Sequence, residues 1–153
     1  MTILVALDGI LRSDANTPIR EGRILFDALV ADGRVVIMAD EPQDKAEYWL
    51  KQYGIKGYAG ILSPSLLLTD DDPLRARQIA VAQSLGRVDM VIDVDPATIV
   101  LCYDIDVPAM LFAHPKTTVP GFRPDVAKES WAEIETRLAR TREREASSDA
   151  ASV

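Results

Sequence analysis

Residues 3–11 read ILVALDGIL, aliphatic throughout except for one carboxylate, Asp8, and the glycine that follows it. From Thr2 to Leu7 no alternation of apolar and polar positions is visible, which is the pattern of a strand buried on both faces. Such a strand needs cover above and below, and helices supply it in α/β domains. The stretch also poses a chemical question. Position 6 lies two residues before the carboxylate, on the same face of the strand, and it holds Ala6 with no second acid.

Outward from this stretch, RSDANTPIREG (12–22) carries the Asp, Asn and Pro of a loop. IREGRILFDALVADG then places Ile24, Leu25, Ala28 and Leu29 at helical spacing and stops at Gly33. RVVIMAD (34–40) reads as a second buried strand and DKAEYWLKQYG (44–54) as a second helix. YAGILSP (58–64) supplies a third strand, DDPLRARQIAVAQSLG (71–86) a helix whose acids suit the positive end of its dipole, and VDMVIDVD (88–95) a fourth strand. DPATIVLCYDID is helical, entered through Pro96, and PAMLFA (108–113) is a fifth strand. Strands alternating with helices imply right-handed crossovers. The expected class is α/β, a three-layer doubly wound parallel sheet of Rossmannoid type with no large cap domain. HPKTTVPGFRPD reads as irregular, and the following VAKESWAEIETRLARTRERE as a helix with Trp131, Ile134 and Leu138 on one face. One domain is expected over 1–140, with a mobile C-terminal tail over 141–153.

Composition excludes several function classes. The chain has 153 residues, 48% apolar and 27% charged, enough for one domain with a real core. Net charge is −7 and the basic residues are scattered until the last helix, where Arg137, Arg140, Arg142 and Arg144 interleave with glutamates. That is a salt-bridged solvent face, so nucleic acid is not an expected partner. No apolar run reaches the roughly 20 residues of a membrane span, and a cytoplasmic location is expected. One cysteine, Cys102, rules out an internal disulfide and reads as a reduced packing residue; one histidine, His114, rules out a two-histidine metal site.

In an open parallel sheet, ligands bind beyond the carboxyl ends of the strands. Those ends carry Asp8 after the first strand, Asp40 after the second, and Asp93 and Asp95 after the fourth. Clustered carboxylates suit a hard cation such as magnesium. The arrangement resembles the haloacid dehalogenase-like (HAD-like) phosphohydrolase superfamily over residues 2–115. The family's first motif is a hydrophobic strand followed by Asp-x-Asp-Gly, nucleophile first and general acid/base second. In ALDGIL, Asp8 and Gly9 match the second half while Ala6 stands in the nucleophile's place. The second motif ends a strand in Ser or Thr; VVIMAD puts Ala39 there. The third supplies a basic phosphate-binding residue, for which Arg75 and Arg77 in DPLRARQIA are candidates, and the fourth supplies acidic metal ligands, for which MVIDVD offers Asp93 and Asp95. The short spacing resembles the capless type, and the closing segment resembles the end of small phage-encoded members.

The resemblance implies a weak Mg2+ site on Asp8 and Asp93, with Asp8 a vestigial acid/base. An alanine methyl cannot attack phosphorus, and strand residues two apart are about 6 to 7 Å from each other, so Asp8 cannot take over the attack. Losing a nucleophile from a cooperative set costs on the order of 10⁶ in turnover. The expected function is therefore a pseudophosphatase, a binding or structural protein for a phosphorylated small molecule or a protein partner. Two alternatives stay open: an active Mg-dependent phosphohydrolase on nucleotides or nucleic-acid ends, and a small-molecule binding module. Plainer roles also stand beside these. Asp95 followed by Pro96 is a good helix N-cap, Asp40 a loop start or the cap of the next helix, Asp70 to Asp72 a solvated helix start, and His114 a structural residue.

Overall fold

In the computed structural model, residues 1–64, 72–114 and 131–151 are described, the last span without the side chains of 131–134, 137, 145, 149 and 151. The chain divides into two compact units, Met1–Thr118 and Val119–Val153, each taken by itself.

The first unit alternates strand and helix: β1 (Thr2–Ala6), α1 (Arg20–Asp32), β2 (Arg34–Met38), α2 (Gln43–Gln52), β3 (Gly60–Leu62), α3 (Leu74–Leu85), β4 (Met90–Asp93), α4 (Pro96–Asp104) and β5 (Ala109–Leu111). The five strands form one sheet in the order β3-β2-β1-β4-β5 with every pairing parallel. β1 is central, Ile3 beside Val35 on one side and Met90 on the other. That position explains the unbroken aliphatic run: Ile3 to Leu7 are all buried, because helices cover both faces. α1 is held to the end of α2 by Arg23, which donates to the carbonyls of Tyr53 and Gly54 at 3.0 Å each. The three-layer α/β class read from the sequence is the observed one.

Local chemistry sets the boundaries. α1 stops where the Gly33 N–H reaches the Leu29 carbonyl. α4 starts at Asp95, whose side chain accepts from the Ala97 N–H at 2.9 Å with Pro96 in the first turn. α3 begins later than the sequence suggests, at Leu74 behind Pro73. The proline ring disfavours helical backbone in the residue before it, so Asp72 stays outside, while Asp70 and Asp71 lie outside the described residues. At Gly22, a Cβ would stand 1.6 Å from the Ile10 carbonyl oxygen, so only glycine lets the first turn of α1 sit on the segment that follows β1.

In the second unit, α5 (Trp131–Ala151) carries the helix into the 141–153 segment that the sequence assigns to a tail. Alanines and Arg/Glu pairs three apart, such as Arg140 with Glu143, favour helix locally. Leu138 is 49% exposed. The side chains of Trp131 and Ile134 fall outside the described residues.

Candidate functional site

β1 and β4 are neighbours although the strands β2 and β3 come between them in the chain, so the sheet order reverses between them and their carboxyl ends open a crevice. Two loops meet there. Gly9 has φ +86, and a Cβ on it would come within 2.7 Å of Val94 Cγ2, so a side chain at this position would force the loops apart. Beyond Gly9 the chain curls back, with the N–H groups of Leu11 and Arg12 both donating to the Leu7 carbonyl at 3.0 Å.

That curl delivers Arg12 to Asp8. Its Nε donates to Asp8 Oδ1 at 2.7 Å, its Nη1 to Glu41 Oε1 at 2.5 Å, and the guanidinium lies 5.5 Å from the centre of the Trp49 ring. Burial disfavours the Arg12 charge, but the two carboxylates outweigh it and hold its pKa above the ordinary value.

A second arginine organises the other side of the crevice. Arg75, in the first turn of α3, donates from Nε to Asp93 Oδ2 at 2.7 Å and from Nη1 to Asp40 Oδ1 at 2.6 Å and Gln78 Oε1 at 2.7 Å. Gln78 is fully buried and passes the linkage on, its Nε2 donating to the carbonyls of Ala39 and Leu62 at 2.8 Å each. One guanidinium and one amide thus tie α3 to the carboxyl ends of β2, β3 and β4. Burial again opposes the charge, and Asp93 with Asp40 raises the Arg75 pKa in spite of it. Asp93 is 1% exposed; its second oxygen accepts the Val94 N–H at 2.7 Å.

Asp8, Asp40, Arg75, Asp93 and Asp95 line one cavity of about 420 Å³, together with Asp14. Arg77, the alternative third-motif residue, is not among its lining residues. Ala6 and Ala39 are buried, and neither reaches the cavity wall. Asp40 does not cap α2, whose N-cap is Pro42 without a side-chain bond; the charge of Arg75 holds it instead. His114 lies beside Phe112 and 3.5 Å from Glu21, away from these carboxylates. Cys102 is a buried free thiol whose pKa is raised by burial and by the charge of Asp93.

The acids expected to hold magnesium are engaged by other groups. Magnesium wants unencumbered oxygens in octahedral array, whereas Asp93 is spent on Arg75 and Val94, and Asp8 on Arg12. Among the described residues, no group of three or more His, Cys, Asp and Glu side chains is placed to hold a metal.

Arg12 and Gln78 escape a reading of the sequence. Arg12 had one visible signal, a lone cation directly after the apolar pair Ile10 and Leu11; Gln78 had another, an amide on the apolar side of a helix beside Ile79 and Ala82.

No protein-family model matches the chain, and no curated protein matches it. Among solved structures, a chain in "Structure of the Pnkp1/Rnl/Hen1 RNA repair complex" is similar in fold, with a TM-score of 0.57 and 14% identity over 72% of this chain. The match takes in 42% of that chain, less than half its length. No helix among the described residues is long and apolar enough to cross a membrane.

Proposed function

We propose that this chain is a HAD-like phosphatase-fold protein without phosphohydrolase activity, serving as a binding or interaction protein. The observation that carries the reading is the sealed alanine at the end of β1. A phosphoaspartyl route needs a carboxylate oxygen in the crevice at position 6. A fully buried methyl occupies that position and lines no part of the cavity. The acid two residues on is held by Arg12, so it has no free geometry for a substitute attack.

The charge around the cavity favours a partner over a phosphorylated ligand. Asp8, Asp14, Asp40, Asp93 and Asp95 line it against one arginine, Arg75, which already serves two carboxylates. A phosphate dianion brought there would meet net repulsion. A rigid α/β body with an ion-paired edge suits recognition of a protein surface, and function then resides in surface chemistry rather than in the fold.

The test is hydrolysis of an aryl phosphate and a nucleotide panel with magnesium, comparing the natural chain with an Ala6→Asp, Ala39→Thr double variant. The expected outcome is no turnover by the natural chain; turnover by the variant alone would show that the two lost side chains are what silence the crevice. Magnesium-dependent turnover by the natural chain, abolished in Asp8→Asn, overturns the reading and makes the chain a phosphohydrolase.

A further inference from the structure

A separate cavity of about 400 Å³ lies at the opposite, amino end of the sheet, between β2, β3 and the last turns of α3. Its wall is aliphatic: Val36, Leu62, Val81, Ala82 and Leu85. Small residues open it. Gly60 pairs in register with Val36 on the adjoining strand, and a Cβ added to Gly60 meets no atom within 4 Å. Facing it, α3 offers Ala82.

The rim is different in character. Arg34 begins β2 two residues before Val36, so period-two alternation puts both on one sheet face. It is exposed and makes no ion pair among the described residues. Arg87, 87% exposed, stands across the mouth with Nε 2.9 Å from Asp89. On a chain of net charge −7, this mouth carries one cation without a counter-charge and a second that shares one. An aliphatic slot under an unpaired guanidinium matches a molecule with an apolar tail and one anionic head.

We propose that this cavity binds a single-chain aliphatic carboxylate, its tail between Gly60 and Ala82 and its head on Arg34. The size lies within the range of about 300–1,000 Å³ for small-ligand sites. The site is independent of the carboxylate-lined crevice and of the reading given to that crevice.

The experiment is titration of the full chain with decanoate, followed by displacement of the fluorescent sulfonate anilinonaphthalene, with decanol as the uncharged comparison. Saturable binding below the micelle concentration is expected, with decanol weaker. Arg34→Glu should weaken decanoate by about tenfold or more, the size of a lost charge-assisted bond, while sparing decanol. Gly60→Leu and, from the other wall, Ala82→Leu fill the slot and should abolish both ligands with the melting temperature held or raised. Equal binding of decanol and decanoate would remove the head-group assignment and overturn the proposal. Unchanged decanoate binding in both filled variants, or a change in oligomeric state in place of lost binding, would also overturn it, the latter by making the groove a contact between copies.

Discussion

The two ends of one sheet are built on opposite plans. At the carboxyl end, charge is buried and matched: Asp93 is 1% exposed and the Arg75 side chain 14%, and their bond is 2.7 Å. At the amino end, the arginines stand in solvent and the interior beneath them is apolar and open. The strands are the same five, so the difference comes from what the loops and helix ends add. Loops at the carboxyl end bring Asp8, Asp40 and Asp93 from segments far apart in sequence to one crevice, and two arginines answer them. Such pairing costs desolvation and returns it only when geometry is good. Arg75, with three bonds, meets that condition.

If buried charge at the carboxyl end is held by Arg75, removing that residue should have the largest effect. Arg75→Met leaves Asp93 charged and unpaired, and the expected loss is about 3–5 kcal/mol in urea unfolding. Adding Asp93→Asn should recover at least half of it. The matching change at the other end, Arg34→Met, should stay within about 0.5 kcal/mol, as exposed substitutions do. Equal effects at the two ends would erase the contrast.

A smaller effect tests the amide beneath that arginine. Gln78→Leu keeps the volume but removes the donor to the Ala39 and Leu62 carbonyls, and about 1–3 kcal/mol should go with it. Faster hydrogen exchange at the ends of β2 and β3 would accompany the loss; an undisturbed exchange pattern would place the linkage elsewhere. The smallest expected effect is at the helix cap. Asp95→Ala removes the acceptor for the Ala97 N–H and should cost about 1 kcal/mol. A much larger loss would mean that Asp95 does more for the crevice than begin α4.

Much of the fold was legible because it depends on short-range pattern. The aliphatic run of β1, the glycine stop of α1 at Gly33 and the Asp95-Pro96 entry to α4 each rest on residues within one turn or one strand of each other. The start of α3 was misplaced because three acids look like a helix start, while the proline behind them decides the backbone. The length of α5 was underestimated for a related reason: ASSDAASV has nothing to bury, yet its alanines tolerate helix and an existing helix extends at low cost.

Of the crevice, the sequence by itself determined four of the acids that line it, since parallel strands all point their carboxyl ends the same way: Asp8, Asp40, Asp93 and Asp95 follow from strand direction alone, whereas Asp14 reaches it only through the fold of the loop after β1. It also determined that Ala6 offers no nucleophile. What those acids bond to was decided by tertiary structure. Arg12 meets Glu41 across 29 positions, Arg75 meets Asp40 across 35, and Gln78 meets Ala39 across 39. The amino-end cavity was equally hidden, because it depends on Gly60 and Ala82 facing each other from different elements. Strand and helix periodicities are encoded in neighbours along the chain; a guanidinium's choice among several carboxylates depends on where helix packing places it, and no local pattern records that.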